Sequence, residues 1–213
     1  MTIGLDHFFI LTEPGASQAR LLSDLGLIEG SANSHQGQGT ANRRFCFADA
    51  MLELLYVRDA VEAMSGPGNG LRFVDRAAGG IASPFGIIVR SDSESTTPPF
   101  HGWSYHPEYF DAENYFHIGE NSDLLEEPLC ICMPFNLPAP SGQPVSVDPY
   151  TSVTELRISI PASRPSKVLE TLAECKRISF CMGEPHLMEI VFNEEKQGKC
   201  ADLRPELPLL IHW

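Results

Sequence analysis

The clearest alternation of apolar and polar positions lies between His35 and Val57. Over 41–48 it puts Arg43, Phe45 and Phe47 on one face and Asn42, Arg44 and Cys46 on the other, the period of a strand. A turn at Asp49-Ala50 leads into Met-Leu-Glu-Leu-Leu-Tyr-Val. There Leu52, Leu54 and Tyr56 share a face, and Glu53 stands between Met51 and Leu55 on the other. A carboxylate inside an apolar strand is costly unless it is paired, binds a metal or faces a polar cavity. Glu53 is therefore the first candidate for chemistry.

The same reading extends along the chain. Ile3–Thr12 is a β-favouring run. Ser17–Leu27 carries an apolar stripe at Ala19, Leu22 and Leu25 and stops at Gly26, which predicts a helix. With an extended segment over 28–34 and the hairpin, residues 3–57 spell β-α-β-β-β. Residues 60–80 read as helix broken at Ser65-Gly-Pro-Gly, and Pro84–Arg90 as a strand. Residues 91–99 form a polar loop. An irregular aromatic stretch follows over 100–110, then short strands over 114–119 and 128–134 and a proline-rich linker over 136–149. Strands over 153–160, 178–182, 187–193 and 207–213, with a helix over 165–175 capped at Ser163, spell the same string again. The expected organisation is one compact domain of three parts: a first unit over 1–58, an inserted middle over 59–150 and a second unit over 151–213.

Composition narrows the function. The chain has 213 residues, 43% of them apolar and 20% charged, which is ordinary for a globular protein. A formal net charge of -13 argues against a nucleic-acid or anionic-membrane partner. Without a membrane-length apolar run or a basic, then apolar, leader at the N-terminus, the expectation is a soluble cytoplasmic protein. The six cysteines include no Cys-x-x-Cys pair, so they read as small buried hydrophobes rather than a thiolate zinc site. Neither a Gly-x-x-x-x-Gly-Lys phosphate loop nor a Gly-x-Ser-x-Gly elbow is present.

The opening Leu5-Asp6-His7, the run His35, Gly37, Gly39, Thr40, Ala41, Asn42 and the closing Leu-Glu-Leu-Leu around Glu53 resemble the glyoxalase-like branch of the vicinal-oxygen-chelate superfamily. The resemblance implies an α+β fold in which two βαβββ modules pair curved mixed sheets into an open barrel around a central cavity. The barrel would close within one chain or by exchange of modules in a homodimer. It further implies a small-molecule ligand and a divalent metal (Zn, Ni, Mn or Fe) held by a first-strand His and a fourth-strand Glu, here His7 and Glu53. Lyase, isomerase or dioxygenase activity on a small oxygenated, anionic metabolite would follow. The alternative is a metal-free binding or sequestering protein.

Aligning the second string on the first sets Arg157 opposite His7 and Leu210 opposite Glu53, with His212 two residues on. An arginine cannot ligate a metal; it can grip a carboxylate in a fork. A third ligand would then come from His212, His117 or His35.

Each candidate also has a plainer reading. His7 is either a ligand or a strand residue bonded to Glu53 or a carbonyl. Glu53 is either a general base or a counter-charge for Arg44 or Arg157. Gly37 and Gly39 serve the hairpin. Thr40 caps the turn or meets ligand, and Asn42, sharing a face with Arg44, is a candidate substrate contact. Trp103, Tyr105, Tyr109 and Phe110 either cover the cavity or pack a long connection. The acidic group Glu120, Asp123, Glu126 and Glu127 reads as a solvated loop.

Overall fold

The computed structural model describes residues 3–91, 97–111, 113–133 and 145–213. Most of the expected linker over 136–149, and the middle of the loop over 91–99, lie outside the described residues.

The first unit forms as its pattern predicts. β1 (Ile3–Leu11) leads to the short helix α1 (Ala19–Asp24), then β2 (Asn33–His35), β3 (Thr40–Cys46) and β4 (Met51–Val57). The third extended segment is shorter than expected, with Glu29 making only an isolated bridge to Phe45. The helical stretch breaks at Gly66, giving α2 (Ala60–Ser65), a single 3-10 turn over 69–71 and α3 (Phe73–Ala77). Then come β5 (Phe85–Ser91), β6 (Gly102–Tyr105), β7 (Phe116–Gly119) and β8 (Leu129–Met133). The C-terminal part contains β9 (Val153–Ile160), α4 (Lys167–Leu172), β10 (Ile178–Met182), β11 (Leu187–Phe192), β12 (Cys200–Asp202) and β13 (Leu209–His212). Ser166, not Ser163, caps α4, its Oγ accepting from Leu169 N at 3.3 Å.

The architecture is α+β with curved mixed sheets forming a half-barrel. The partner of the first unit is not the C-terminal one. An eight-stranded sheet runs β2-β3-β4-β1-β5-β8-β7-β6. In it β1 pairs parallel with β4, β5 pairs parallel with β8, and the two halves join through the antiparallel β1–β5 pair. The stretch expected as an insertion thus supplies β5–β8, which repeat the order and directions of β1–β4. The C-terminal strands form their own five-stranded sheet, β10-β9-β11-β13-β12. The string of elements repeats but the pairing does not: β1 has β4 and β5 on its two edges, while β9 has β10 and β11. With both edges of β1 occupied, no edge remains there for β9.

What β9–β13 cover is a face. Phe8 and Ile10 of β1, Leu52 and Leu54 of β4, and Phe85, Ile87 and Val89 of β5 share one apolar core with Leu156, Ile158 and Ile160 of β9 and with Met188, Ile190 and Phe192 of β11. Each such side chain removed from water contributes about 1.5–3 kcal/mol. Glu127 ties the two sheets together at the N-terminus of α4, accepting from Ser166 N at 2.7 Å and Ser166 Oγ at 2.6 Å. The opposite, concave face of the large sheet has a separate core that includes Phe9, Leu55, Phe73, Ile88, Ile118 and Ile131.

A single β-bulge decides which face of β1 carries what. Ile3 and Leu5 lie in the core between the sheets, whereas Phe9 and Leu11 lie on the concave face. Strict alternation forbids that switch. The register slips between Leu5, opposite Val89, and His7, opposite Ile88, so Asp6 is the extra residue and His7 turns into the concavity. Across the same strand pair Phe9 stands over Gly86, where an added Cβ would lie 2.0 Å from the ring. Among the described residues no helix is long and apolar enough to cross a membrane.

Candidate functional site

The concave face encloses a cavity of about 180 Å³ lined by side chains from β1, β2, β4 to β8, the turn after β2, the α2–α3 region and the segment after β6. Its floor is apolar (Phe9, Leu55, Ile88, Ile131), and Phe73, Tyr105, Tyr109, Phe110 and Phe116 make aromatic walls. The opposite edges of the half-barrel meet over it, where Tyr109 OH donates to Gln38 Oε1 at 3.2 Å. Gln38 is held in turn through Nε2 on Thr40 Oγ1 at 2.8 Å, and the same hydroxyl lies 2.9 Å from His35 Nδ1. Gly39, at φ +72°, makes this turn possible: an added Cβ would lie 2.4 Å from Asp59 O, so the hairpin end docks directly on the start of α2. The role expected of the glycines, in the hairpin and in close backbone approach, is the one they have.

Besides the neutral amides of Asn33 and Gln38 and the tyrosine hydroxyls, the polar side chains of the lining are Glu53, His7 and His35. Glu53, in the middle of β4, is 8% exposed and lines the cavity. Asn42 Nδ2 donates to its Oε1 at 2.8 Å, and Asn42 Oδ1 accepts from Asn33 N at 2.9 Å, which fixes the amide orientation. Oε2 has no hydrogen-bond partner among the described residues. On neighbouring β1, His7 also lines the cavity, and its Nδ1 sits 2.5 Å from Asp6 Oδ1. Arg90 Nε donates to the other Asp6 oxygen. The bulge makes the Asp6–His7 contact possible between sequence neighbours that would otherwise point apart.

The charges reinforce one another. Burial disfavours the His7 imidazolium, but the Asp6 hydrogen bond and the field of Glu53 outweigh it and hold its pKa above 6.5. Burial likewise opposes the Asp6 carboxylate, yet His7 and Arg90 bring its pKa below 3.8. His35, in the same cavity, is displaced downward because burial dominates. One imidazole is thus biased toward the charged form and the other toward the neutral one.

The other expected site residues lie elsewhere or do other work. Arg44 faces Glu53 in the β3–β4 register, but its guanidinium donates to Ser31 O at 2.7 Å and Ser31 Oγ at 2.9 Å. Arg157 is on the second sheet among Glu155, Glu189 and Glu195. His212 Nε2 lies 2.9 Å from Glu189 Oε2 on that sheet, and His117 Nε2 lies 2.9 Å from Phe100 O; neither lines the cavity. Trp103 does not line it either; its Nε1 donates to Ser122 Oγ at 3.2 Å, and its ring fills the space a Cβ on Gly70 would take. Tyr105, Tyr109 and Phe110 do form cavity wall. Glu127, expected in a solvated loop, is 2% exposed. Asp6 and Arg90 were missed; the only signal was the acidic neighbour inside Leu-Asp-His.

Among the described residues no group of three or more His, Cys, Asp or Glu side chains is placed to hold a metal ion. A catalytic zinc takes three protein ligands and leaves a position open. His7 and Glu53 alone do not meet that requirement: His212 and His117 are turned to other partners away from the cavity, and His35, though in the same cavity, is not placed with them as a three-ligand group.

No protein-family model matches this chain, and no curated protein matches it. Solved structures do. A hypothetical protein from Staphylococcus aureus superposes with a TM-score of 0.56 at 9% identity, covering 100% of this chain and 99% of its own. Methylmalonyl-CoA epimerase from Mycobacterium tuberculosis gives 0.42 at 18% identity, over 64% of this chain and 89% of its own. A hypothetical protein from Bacillus halodurans C-125 gives 0.42 at 14% identity, over 65% and 99%. The full-length likeness to the Staphylococcus aureus protein shows a shared fold.

Proposed function

We propose that this chain is a glyoxalase-like protein that binds a small carbonyl compound on the concave face and moves a proton on it, a reaction of the isomerase or lyase type. The observation that carries the reading is the pairing of Glu53 and His7 on adjacent strands at the wall of a cavity with an apolar floor and aromatic walls. Glu53 is restrained by Asn42 through one oxygen and has the other available. His7 is oriented through Nδ1 by Asp6, which leaves Nε2 for a ligand.

In this reading Glu53 Oε2 takes the proton from the carbon next to the carbonyl, while imidazolium Nε2–H of His7 gives its proton to the carbonyl oxygen. The product is a neutral enol. Its collapse returns the Glu53 proton to carbon and the enol O–H proton to His7 Nε2, which restores both groups with no outside oxidant or reductant. The raised His7 pKa suits the acid role, and the apolar walls exclude water from the enol. A neutral substrate agrees better with the lining than an anionic one, since Arg44 and Arg157 are committed to other partners.

The test is solvent exchange. In D2O the full chain should catalyse deuterium entry into the methyl group of 4-hydroxyacetophenone, followed by proton NMR, and Glu53→Gln should lower the rate by about a hundredfold or more. Binding of the ketone with no exchange above buffer would contradict proton transfer and leave the metal-free binding protein as the reading.

A further inference from the structure

The buried polar group that the proton-transfer reading leaves unused is the hydroxyl of Tyr105. Tyr105 ends β6, at the edge of the large sheet, five strands round from β4 and Glu53. It is 2% exposed, its ring stacks on Phe116 with an interplanar angle of 16°, and it lines the same cavity. Its hydroxyl has no hydrogen-bond partner among the described residues. A buried hydroxyl left unpaired costs about 1–3 kcal/mol, and native structures retain few of them. Burial pushes this phenol up to about 12, so it stays a neutral O–H that can both donate and accept. The chain makes room for it: an added Cβ on Gly68 would come within 3.3 Å of the hydroxyl oxygen.

Around the cavity Glu53 and His7 stand on β4 and β1 and Tyr105 five strands from β4, with Phe9, Ile88 and Ile131 on the strands between. A cavity of about 150 Å³ with apolar walls holds one benzene ring, so about 180 Å³ suits a single ring with small substituents.

We propose that Tyr105 is a specificity-determining residue, its hydroxyl hydrogen-bonding an oxygen at the far end of a single-ring ligand whose carbonyl meets Glu53 and His7. This rests on the proton-transfer reading for the near end only. It names the substrate class as a ring with oxygen substituents at opposite ends, rather than on adjacent carbons.

The experiment measures affinities of 4-hydroxyacetophenone and its near-isostere 4-methylacetophenone, by calorimetry, for the full chain, Tyr105→Phe and Glu53→Gln. One hydrogen bond to a buried partner is worth about a fivefold to tenfold factor. The preference for the hydroxy over the methyl compound should fall by that factor in Tyr105→Phe, and the melting temperature should hold or rise because an unpaired group is removed. Glu53→Gln should weaken both compounds and leave their ratio unchanged. A ratio unmoved by Tyr105→Phe, while Glu53→Gln still weakens binding, would overturn the Tyr105 assignment alone. So would a drop in melting temperature of several degrees, which would show the hydroxyl already paired. Failure of both compounds to bind the wild-type chain would overturn this proposal and the proton-transfer reading together.

Discussion

On the concave face of the large sheet, Glu53 and His7 stand on the parallel neighbours β4 and β1; on the outer face of the small sheet, Glu189 and His212 stand on the parallel neighbours β11 and β13. The residue types and the strand relationship are the same, yet the surroundings differ. Glu189 already accepts His212 at 2.9 Å and has Arg157 at 3.9 Å, and Arg157 is shared with Glu155 and Glu195 on side chains 33–39% exposed. Every charge there has a counter-charge and access to water, so little free energy is stored. Glu53 and His7 each keep a polar atom for a ligand, within a cavity whose floor is apolar and whose walls are aromatic. Incomplete pairing on the wall of a cavity, not the presence of a His and a Glu, makes one pair a candidate site.

The sharpest way to break this contrast is to neutralise both carboxylates in turn. Glu53→Gln should lower deuterium exchange into 4-hydroxyacetophenone by about a hundredfold or more, the usual scale for losing a positioned base. Glu189→Gln should change it less than about twofold. Equal losses would remove the distinction between the two pairs.

A second substitution tests whether the two sheets act as one unit. Arg76 is 1% exposed; its guanidinium donates to Glu127 O at 2.7 Å and Ser122 O at 3.0 Å, and burial pulls its pKa down to about 10. It braces the turn that presents Glu127 to Ser166 of α4. Arg76→Met should cost about 2–4 kcal/mol in urea unfolding by stranding those carbonyls, with a single transition. Two separated transitions would show that the sheets unfold independently.

The smallest effect belongs to the outer face. Arg157→Ala should cost less than about 1 kcal/mol, as exposed ion pairs do, and leave deuterium exchange unchanged. A larger loss would make the Glu155–Arg157–Glu195 group a structural clamp.

What the sequence made legible follows from how locally each feature is determined. The β3–β4 hairpin came out with the right faces because alternation with one buried side leaves no other register. Glu53 was found by its chemical incongruity within that pattern. The face of His7 could not be read, because a one-residue bulge at Asp6 inverts the parity of β1 and leaves no mark in composition. The pairing of β5–β8 with β1–β4 was hidden for another reason. Element strings repeat cheaply, while strand partners depend on which edges are already taken. The near-continuous apolar run Phe-Gly-Ile-Ile-Val did carry the signal of a central strand covered on both sides. Arg157 and His212 followed the string alignment to a sheet that lines no part of the cavity.

Whether Asp6, His7 and Glu53 form one proton-handling group is read by nitrogen-detected NMR titration of His7. Its Nδ1 should carry the proton in the neutral form, and its midpoint should lie above 6.5 in the wild-type chain. Both Asp6→Asn and Glu53→Gln should lower the midpoint, each removing a negative partner from a buried imidazolium. The linked stability has a defined sign. The His7 contribution is full below pH 6.5 and fades as pH rises through its raised value; that of Asp6 is full above pH 3.8 and fades as pH falls through its lowered value. The advantage of wild type over Asp6→Asn should therefore be greatest between pH 3.8 and 6.5. A wild-type midpoint at or below 6.5 that neither substitution moves would show that His7 titrates independently of Asp6 and Glu53.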